Sequence, residues 1–201
     1  LLDTRFDSLR GRRKKVLMTR AGDLTFKAPA DAALHYAVEI VEPRQAPDEA
    51  RALADANGPL PREIEAAWTE LPPGLDPRLQ GLGQQLVGAK RGRWAEVRAV
   101  EDGLRTGWRY SLAADHDPRR PLDDFLFGKK YGHCEYFATA MTLLLRQRGH
   151  AARVVHGFSG GQVNAVGGYR MIRQADAHAW VEVFFPGVGW RSFDPTPPAG
   201  Q

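Results

Sequence analysis

The 201-residue chain has a single cysteine, Cys134, which excludes an intrachain disulfide framework and a metal site built from several cysteines. It also lacks long apolar runs. The longest uninterrupted run near its middle is Leu143–Leu145, far short of the roughly 18 residues that a membrane-spanning helix needs. We therefore expect that this chain does not cross a membrane by itself. Because it begins with Leu1 and Leu2 instead of methionine, we expect it to be a fragment of a longer protein.

Neither sign of charge is in large excess, since 28 Lys and Arg residues stand against 24 Asp and Glu residues. A hydrophobic fraction of 43% with 26% charged residues is typical of a globular chain and not of a disordered one. Part of the positive charge lies in a run from Arg10 to Lys15, which could contact phosphates or an anionic membrane, or simply be a solvated loop. We favour the loop and expect no nucleic-acid partner, because no aromatic residues interleave with the run.

The first half of the chain divides into two segments by its residue patterns. Residues 1–47 predict strands and turns, including a strand over Leu34–Val41, where β-branched and aromatic residues are frequent. Residues 48–92 have helical patterning and are interpreted as a connecting segment. Within it, Asp76 predicts a helix N-cap and Pro77 the first helical position, because leucines follow at helical spacing.

Residues 93–201 begin with helical patterning and end with strand patterning. Apolar stripes predict two helices, Trp94–Tyr110 and Cys134–Arg148, and Gly149 is typical of the position after a helix. Period-two patterns predict four strands joined as an antiparallel meander, at Ala152–Phe158, Gly168–Arg173, Ala177–Phe185 and Trp190–Phe193. Helices followed by an antiparallel sheet indicate the α+β fold class.

Cys134 begins the second of these helices. A thiol there lies among unpaired backbone N–H groups at the positive end of the helix dipole, and both favour the thiolate, which is the nucleophilic form. The alternative is a buried structural cysteine, which is a common role of this residue. A nucleophilic role requires a base within hydrogen-bond reach and a partner that orients the base.

His178 and Asp194 are the candidate base and its partner. His178 opens one predicted strand, and Asp194 closes the next strand, after a turn over Pro186–Gly189. A hairpin pairs the start of its first strand with the end of its second, so we expect the two side chains to lie side by side. Alternation places His178 with Trp180 on one face and leaves an apolar set on the other, namely Ala179, Val181, Val183 and Phe185.

The remaining histidines have simpler interpretations, and they are His35, His116, His133, His150 and His156. His133 is adjacent to Cys134, but neighbouring residues at a helix start point apart, so we expect it to shape the entrance of the site. A metal site formed by His133, Cys134, His178 and Asp194 is a minor alternative, because their spacing matches no familiar zinc motif. We therefore predict neither a metal nor a cofactor.

Four segments of the chain, taken in order, resemble the core of the transglutaminase-like superfamily: GHCEYFATAM, RVVHGFSGG, ADAHAWVEVFF and GWRSFDPT. The resemblance covers about residues 93–198 and is greatest to bacterial membrane-anchored members. It implies a papain-like fold with residues 93–201 as the catalytic core and residues 1–47 as the end of a preceding β-rich segment. It also implies Cys134 as nucleophile, His178 as base and Asp194 as the residue that orients the imidazole.

The resemblance implies acyl transfer through a cysteine thioester, of the protein-glutamine gamma-glutamyltransferase type. The donor would be a glutamine of a protein or peptide, and the acceptor a lysine or another primary amine. Two alternatives stay open: a cysteine peptidase or amidase with the same triad, and a non-catalytic binding module. Trp180 and Trp190 either line the substrate channel or belong to the core. The location implied is the extracytoplasmic side of a bacterial inner membrane, with anchoring segments outside this fragment.

Overall fold

The computed structural model of the chain describes residues 16–18, 24–26, 49–113 and 115–198. Contacts divide the chain into two units, Leu1–Pro47 and Asp48–Gln201. In the first unit, strands β1 (Val16–Met18) and β2 (Leu24–Phe26) pair in antiparallel fashion. The predicted strand Leu34–Val41 lies outside the described residues. The further division at residues 92 and 93 stays a prediction.

The second unit begins with four helices, α1 (Glu49–Asp55), α2 (Arg62–Trp68), α3 (Arg78–Val87) and α4 (Arg93–Gly107). The start of α3 lies one residue later than predicted, because Pro77 occupies the N-cap position. The Asp76 carboxylate still performs the predicted capping, since its Oδ1 accepts a hydrogen bond from the Arg78 backbone N–H at 2.9 Å. No helix among residues 49–113 and 115–198 has both the length and the apolar character to span a bilayer.

The α4 helix ends three residues before the predicted end at Tyr110. Trp108 is extended, with φ −131° and ψ 156°, and β3 (Arg109–Tyr110) pairs in parallel with β4 (Tyr131–Gly132). The indole N–H of Trp108 donates to the Phe125 carbonyl at 3.1 Å, which draws this residue out of the helix. A long-range strand pairing has therefore overridden the helical pattern.

Between these two short strands the chain turns back through α5 (Pro121–Asp123), which continues as a π-helix over Asp124–Lys129. Lys130, the residue after the π-helix, has a left-handed φ of 58°. This turn directs the chain into β4 and then into the helix that begins at Cys134. π-Helical turns are rare and frequently lie at functional sites.

Helix α6 (Cys134–Gln147) is the centre of the unit and has the predicted start. Its apolar residues Phe137, Met141, Leu144 and Leu145 are fully buried, and each contributes about 1.5–3 kcal/mol by leaving water. Gly149, just past its end, has a φ of 78°, which explains why glycine occupies that position. Helices α3 and α4 pack against α6, and the main sheet packs against it as well.

The main sheet contains β5 (Ala152–Phe158), β8 (Ala177–Phe185) and β9 (Gly189–Phe193), in the order β5-β8-β9 and antiparallel. The predicted four-stranded meander is wrong in one respect. The segment predicted as Gly168–Arg173 forms β7 (Tyr169–Met171), which pairs with β6 (Gln162–Asn164) in a separate hairpin. Pairing partners only five to nine residues away are reached more readily than the sheet.

The alternation of β8 is as predicted. Its odd-numbered residues from Ala179 to Phe185 are fully buried, whereas the even-numbered face that includes His178 and Trp180 is partly exposed. The helices and the antiparallel sheet confirm the α+β fold class.

Candidate active site

Cys134 is the first residue of α6, with its thiol free and partly exposed. The residue before it, His133, is extended with φ −92° and ψ 177°, and its side chain does not cap the helix. The Tyr136 N–H donates to the His133 carbonyl at 3.0 Å, whereas the N–H groups of Cys134 and Glu135 bond to no backbone acceptor among the described residues. They lie at the end of the helix where the dipole is positive. Cys134 therefore has the position at a helix start that the sequence predicted for the nucleophile.

The first turn of α6 lies against the end of the sheet that carries His178. Glu135, the neighbour of Cys134, has its Oε1 3.5 Å from Nε2 of His156 on β5. His156 in turn pairs with Ala179, the neighbour of His178 on β8. Thus the residue after Cys134 and the residue after His178 are both adjacent to the same histidine.

His178 and Asp194 are in direct contact. Nε2 of His178 lies 2.7 Å from Oδ2 of Asp194, within the usual range of a hydrogen bond. This bond leaves Nδ1 of the imidazole for a second partner. The contact is not the cross-strand pair that was expected, however. The register ends at Val181 opposite Phe193, so Asp194 comes opposite Trp180 and reaches His178 diagonally on the same face.

Two further bonds hold Asp194. Its Oδ1 accepts a hydrogen bond from the Thr196 backbone N–H at 3.0 Å. Its own backbone N–H donates to Oε1 of Glu101 at 2.9 Å. Glu101 was not among the predicted residues, although it had a signal in the sequence: it is a carboxylate at helical spacing within the apolar stripe of Val97 and Leu104.

Tyr110 is a second residue absent from the prediction. It pairs with Gly132, two residues before Cys134, through β3 and β4. Burial and the nearby charge of Cys134 raise the pKa of the Tyr110 phenol.

The other described histidines make separate contacts. Nδ1 of His133 lies 3.8 Å from Glu135, and Nε2 of His150 lies 2.9 Å from Glu96, at the opposite end of α6. Nδ1 of the buried His116 lies 3.3 Å from Asp124. His35 is outside the described residues. Within the described ranges, no three His, Cys, Asp or Glu side chains are grouped to hold a metal ion.

The two tryptophans named in the sequence have different surroundings. The Trp180 indole is stacked on the His178 ring, with centroids 6.3 Å apart and planes at 24°. Trp190 pairs with Phe184, six residues along β8 from His178, which is about 20 Å away. There it packs edge-on against Trp68 at 5.6 Å. Trp180 borders the candidate site, whereas Trp190 is a packing residue distant from it.

Comparison with known proteins identifies three informative relatives. The crystal structure of the periplasmic domain of TgpA from Pseudomonas aeruginosa, bound to ethylmercury, superposes with a TM-score of 0.62. Its identity is 35%, over 71% of this chain and 51% of that one. A protein-glutamine gamma-glutamyltransferase of P. aeruginosa is 39% identical over 63% of this chain and 19% of its own length. The uncharacterized protein YebA of Bacillus subtilis is 32% identical over 81% of this chain and 23% of its own.

The chain thus spans about a fifth of the length of these curated relatives. The match to the TgpA structure agrees with the mixed helices and antiparallel sheet described above. The model of the transglutaminase-like superfamily matches residues 80–195, which is more than half of the chain. The chain therefore belongs to the transglutaminase-like superfamily.

Proposed function

We propose that this domain catalyses acyl transfer through a thioester on Cys134, with His178 as base and Asp194 as the residue that orients it. The observation that carries the proposal is the 2.7 Å bond between His178 and Asp194. The sheet that holds this pair meets the first turn of α6 through the ion pair of His156 with Glu135. A thiol at a helix start, a base and an orienting acid are the parts that cysteine nucleophilic catalysis requires.

In the first half of the reaction, the Cys134 thiolate attacks the carboxamide carbon of a glutamine side chain. The carbon–sulfur bond forms, the carbon–nitrogen bond breaks, and His178 delivers the proton with which ammonia leaves. In the second half, a primary amine attacks the thioester and gives its proton to His178. An isopeptide bond forms, and the thiolate is released for the next cycle.

Asp194 supports both halves by holding His178 in one tautomer and by stabilising the imidazolium. With Nε2 of His178 bonded to Asp194, Nδ1 is the nitrogen assigned to proton transfer at the sulfur. The oxyanion would be held by the Cys134 backbone N–H, because this group, at the start of α6, bonds to no backbone acceptor in the described part of the chain. The reaction as written needs no cofactor.

The substrates in this proposal are proteins or peptides with a reactive glutamine, together with an amine such as lysine. The name of the P. aeruginosa relative supports this choice. An extracytoplasmic location is proposed because the TgpA structure is that of a periplasmic domain. A cysteine peptidase or amidase is the second candidate, since water could accept the acyl group from the same thioester.

Incorporation of a fluorescent primary amine into a glutamine-rich protein tests the proposal. Wild type should label the protein and release ammonia in equal amount, whereas Cys134→Ala should do neither. Ammonia release without labelling, even at saturating amine, would favour hydrolysis. If Cys134 resists alkylating reagents at neutral pH and neither product forms, the domain is a binding module.

A further inference from the structure

Asp194 lies just beyond the end of β9, so strand pairing does not fix its position. The last residue of β9 is Phe193, whose partner on β8 is Val181, and the described residues after it, 194–198, form no strand. The Asp194 side chain is also 45% exposed, so packing does little to hold it. A residue in this position needs another constraint if its carboxylate is to meet His178 at a constant distance.

Glu101 of α4 supplies that constraint from a distant part of the chain. Its Oε1 accepts the Asp194 backbone N–H at 2.9 Å, and its Oε2 bonds to Arg98, one turn earlier on α4. Arg98 therefore fixes the carboxylate while Glu101 fixes the backbone of Asp194. Helix α4 also packs against α6, so the element that holds Asp194 contacts the helix that carries Cys134.

Burial of the Glu101 carboxylate costs free energy. Its hydrogen bond to the Asp194 backbone therefore suggests a role other than packing in the core. The residue is 3% exposed, and it lies on the same face of α4 as the fully buried Val97 and Leu104. A carboxylate in such a place loses its hydration, and an ion pair with one arginine compensates for this only in part. A leucine would fit the pattern of the stripe better. The carboxylate is therefore explained by what it binds rather than by the stability of the core.

We propose that Glu101 is a positioning residue, which holds the backbone of Asp194 so that the Asp194 carboxylate orients His178. This inference rests on the proposed function for its effect on turnover, but the contact itself can be tested without turnover. Glu101 touches neither the substrate nor the reacting atoms in this account. It acts on the rate through Asp194.

The test compares two substitutions of Glu101 with a matched control on the same helix. Glu101→Leu removes the acceptor, whereas Glu101→Gln removes the charge and keeps a carbonyl oxygen for the Asp194 N–H. The control is Glu96→Leu, because Glu96 is also largely buried on α4 but bonds to Arg148 and His150. If Glu101→Leu does not fold, Glu101→Met replaces it, since methionine adapts to irregular space.

Three measurements are made on each folded variant: hydrogen exchange of the Asp194 amide, the rate of Cys134 alkylation by iodoacetamide, and kcat and KM for amine incorporation. We expect Glu101→Leu to lose protection of the Asp194 amide, to alkylate more slowly at neutral pH, and to lose about tenfold or more in kcat with little change in KM. Glu101→Gln should keep most of the Asp194 amide protection, of the alkylation rate and of kcat. Glu96→Leu should lower the melting temperature and leave all three unchanged.

A folded Glu101→Leu variant with wild-type amide protection and kcat would overturn the proposal. So would an equal loss of kcat in Glu96→Leu, because the effect would then be one of general stability. Failure of the proposed function has a different signature: wild type itself would incorporate no amine. In that case, loss of Asp194 amide protection and slower alkylation in Glu101→Leu would still support the positioning role.

Discussion

Asp194 bonds to His178 at 2.7 Å even though the strand register sets Asp194 opposite Trp180. The two side chains share a face of the sheet and meet along the diagonal, with the carboxylate just past the last paired residue. The geometry therefore depends on the segment after β9 as much as on the hairpin. It also commits Nε2 of the imidazole to Asp194, which leaves Nδ1 for the proton transfer that we propose at Cys134.

We expect His178→Ala and His133→Ala to differ strongly in activity. His178→Ala should lose most of the rate of amine incorporation, because His178 is the histidine that bonds to Asp194 among the residues that the structure describes. His133→Ala should keep a measurable share, since the contact recorded for its ring nitrogen is with Glu135, at 3.8 Å. The measurement is kcat/KM for both variants, with folding checked by circular dichroism. An equal collapse of activity in two folded variants would assign His133 a direct role.

Asp194→Asn should preserve the geometry and lose much of the rate. An amide oxygen can still accept a hydrogen bond from Nε2 of His178, but it cannot stabilise the imidazolium as a carboxylate does. We expect a loss in kcat on the order of tenfold or more, with a melting temperature close to that of wild type. A crystal structure of the variant would establish that the 2.7 Å contact persists. If Asp194→Asn kept the wild-type kcat, the Asp194 carboxylate would have no catalytic role.

Gly157→Ala should disturb the site through Trp180. Gly157 pairs with His178, and a Cβ at this position would lie 2.6 Å from Cη2 of the Trp180 indole, which must therefore move. Because that indole stacks on His178, we expect kcat to fall several-fold while the protein stays folded. Gly81→Ala is the control, since a Cβ there meets no atom within 4 Å. If Gly157→Ala and Gly81→Ala were equally active, the position of the Trp180 indole would have no effect on catalysis.

Asp76 should make the stability of the protein depend on pH in acid. Hydrogen bonds from the Arg78 side chain and backbone, followed by the charges of Arg78 and Arg120, hold the pKa of the Asp76 carboxyl well below its usual range. The folded pKa is below the unfolded one, so this stabilisation is complete above about pH 4 and is lost as the pH falls toward the folded pKa.

Asp76→Asn should therefore lower the melting temperature at pH 7, and the gap to wild type should narrow as the pH falls below about 4. Thermal unfolding from pH 7 to pH 2 measures the gap. The exposed Asp102, on the surface of α4, provides the control Asp102→Asn, which should show little effect at any pH. If the difference in melting temperature between wild type and Asp76→Asn stayed constant from pH 7 to pH 2, the lowered pKa of Asp76 would not be the cause.

The local elements near the site could be predicted from the sequence because their patterns agree with their surroundings. Helix α6 begins at Cys134 and buries the predicted face, and β5 and β8 have the predicted bounds. The alternation that separates His178 from Ala179 follows from the geometry of any strand. These features depend on periods of 3.6 and 2 residues and not on distant partners.

The features that the sequence did not reveal depend on distant partners. Trp108 leaves the helical pattern because its indole bonds to Phe125, 17 residues away. Glu101 meets Asp194 across 93 residues, and no local pattern reports such a contact. The separate β6–β7 hairpin was missed because a short polar strand at Gln162–Asn164 has little strand-like composition.

Mass spectrometry of the intact domain after mixing with a glutamine peptide, quenched in acid, tests the thioester directly. We expect a covalent adduct on Cys134 equal in mass to the peptide minus ammonia. An added primary amine should then discharge this adduct and give an amine-coupled peptide. Cys134→Ala should form no adduct while keeping its circular dichroism spectrum, since alanine at a helix start costs little packing. Amine coupling that persists in the purified Cys134→Ala variant, or that proceeds without an adduct on Cys134, would contradict the account.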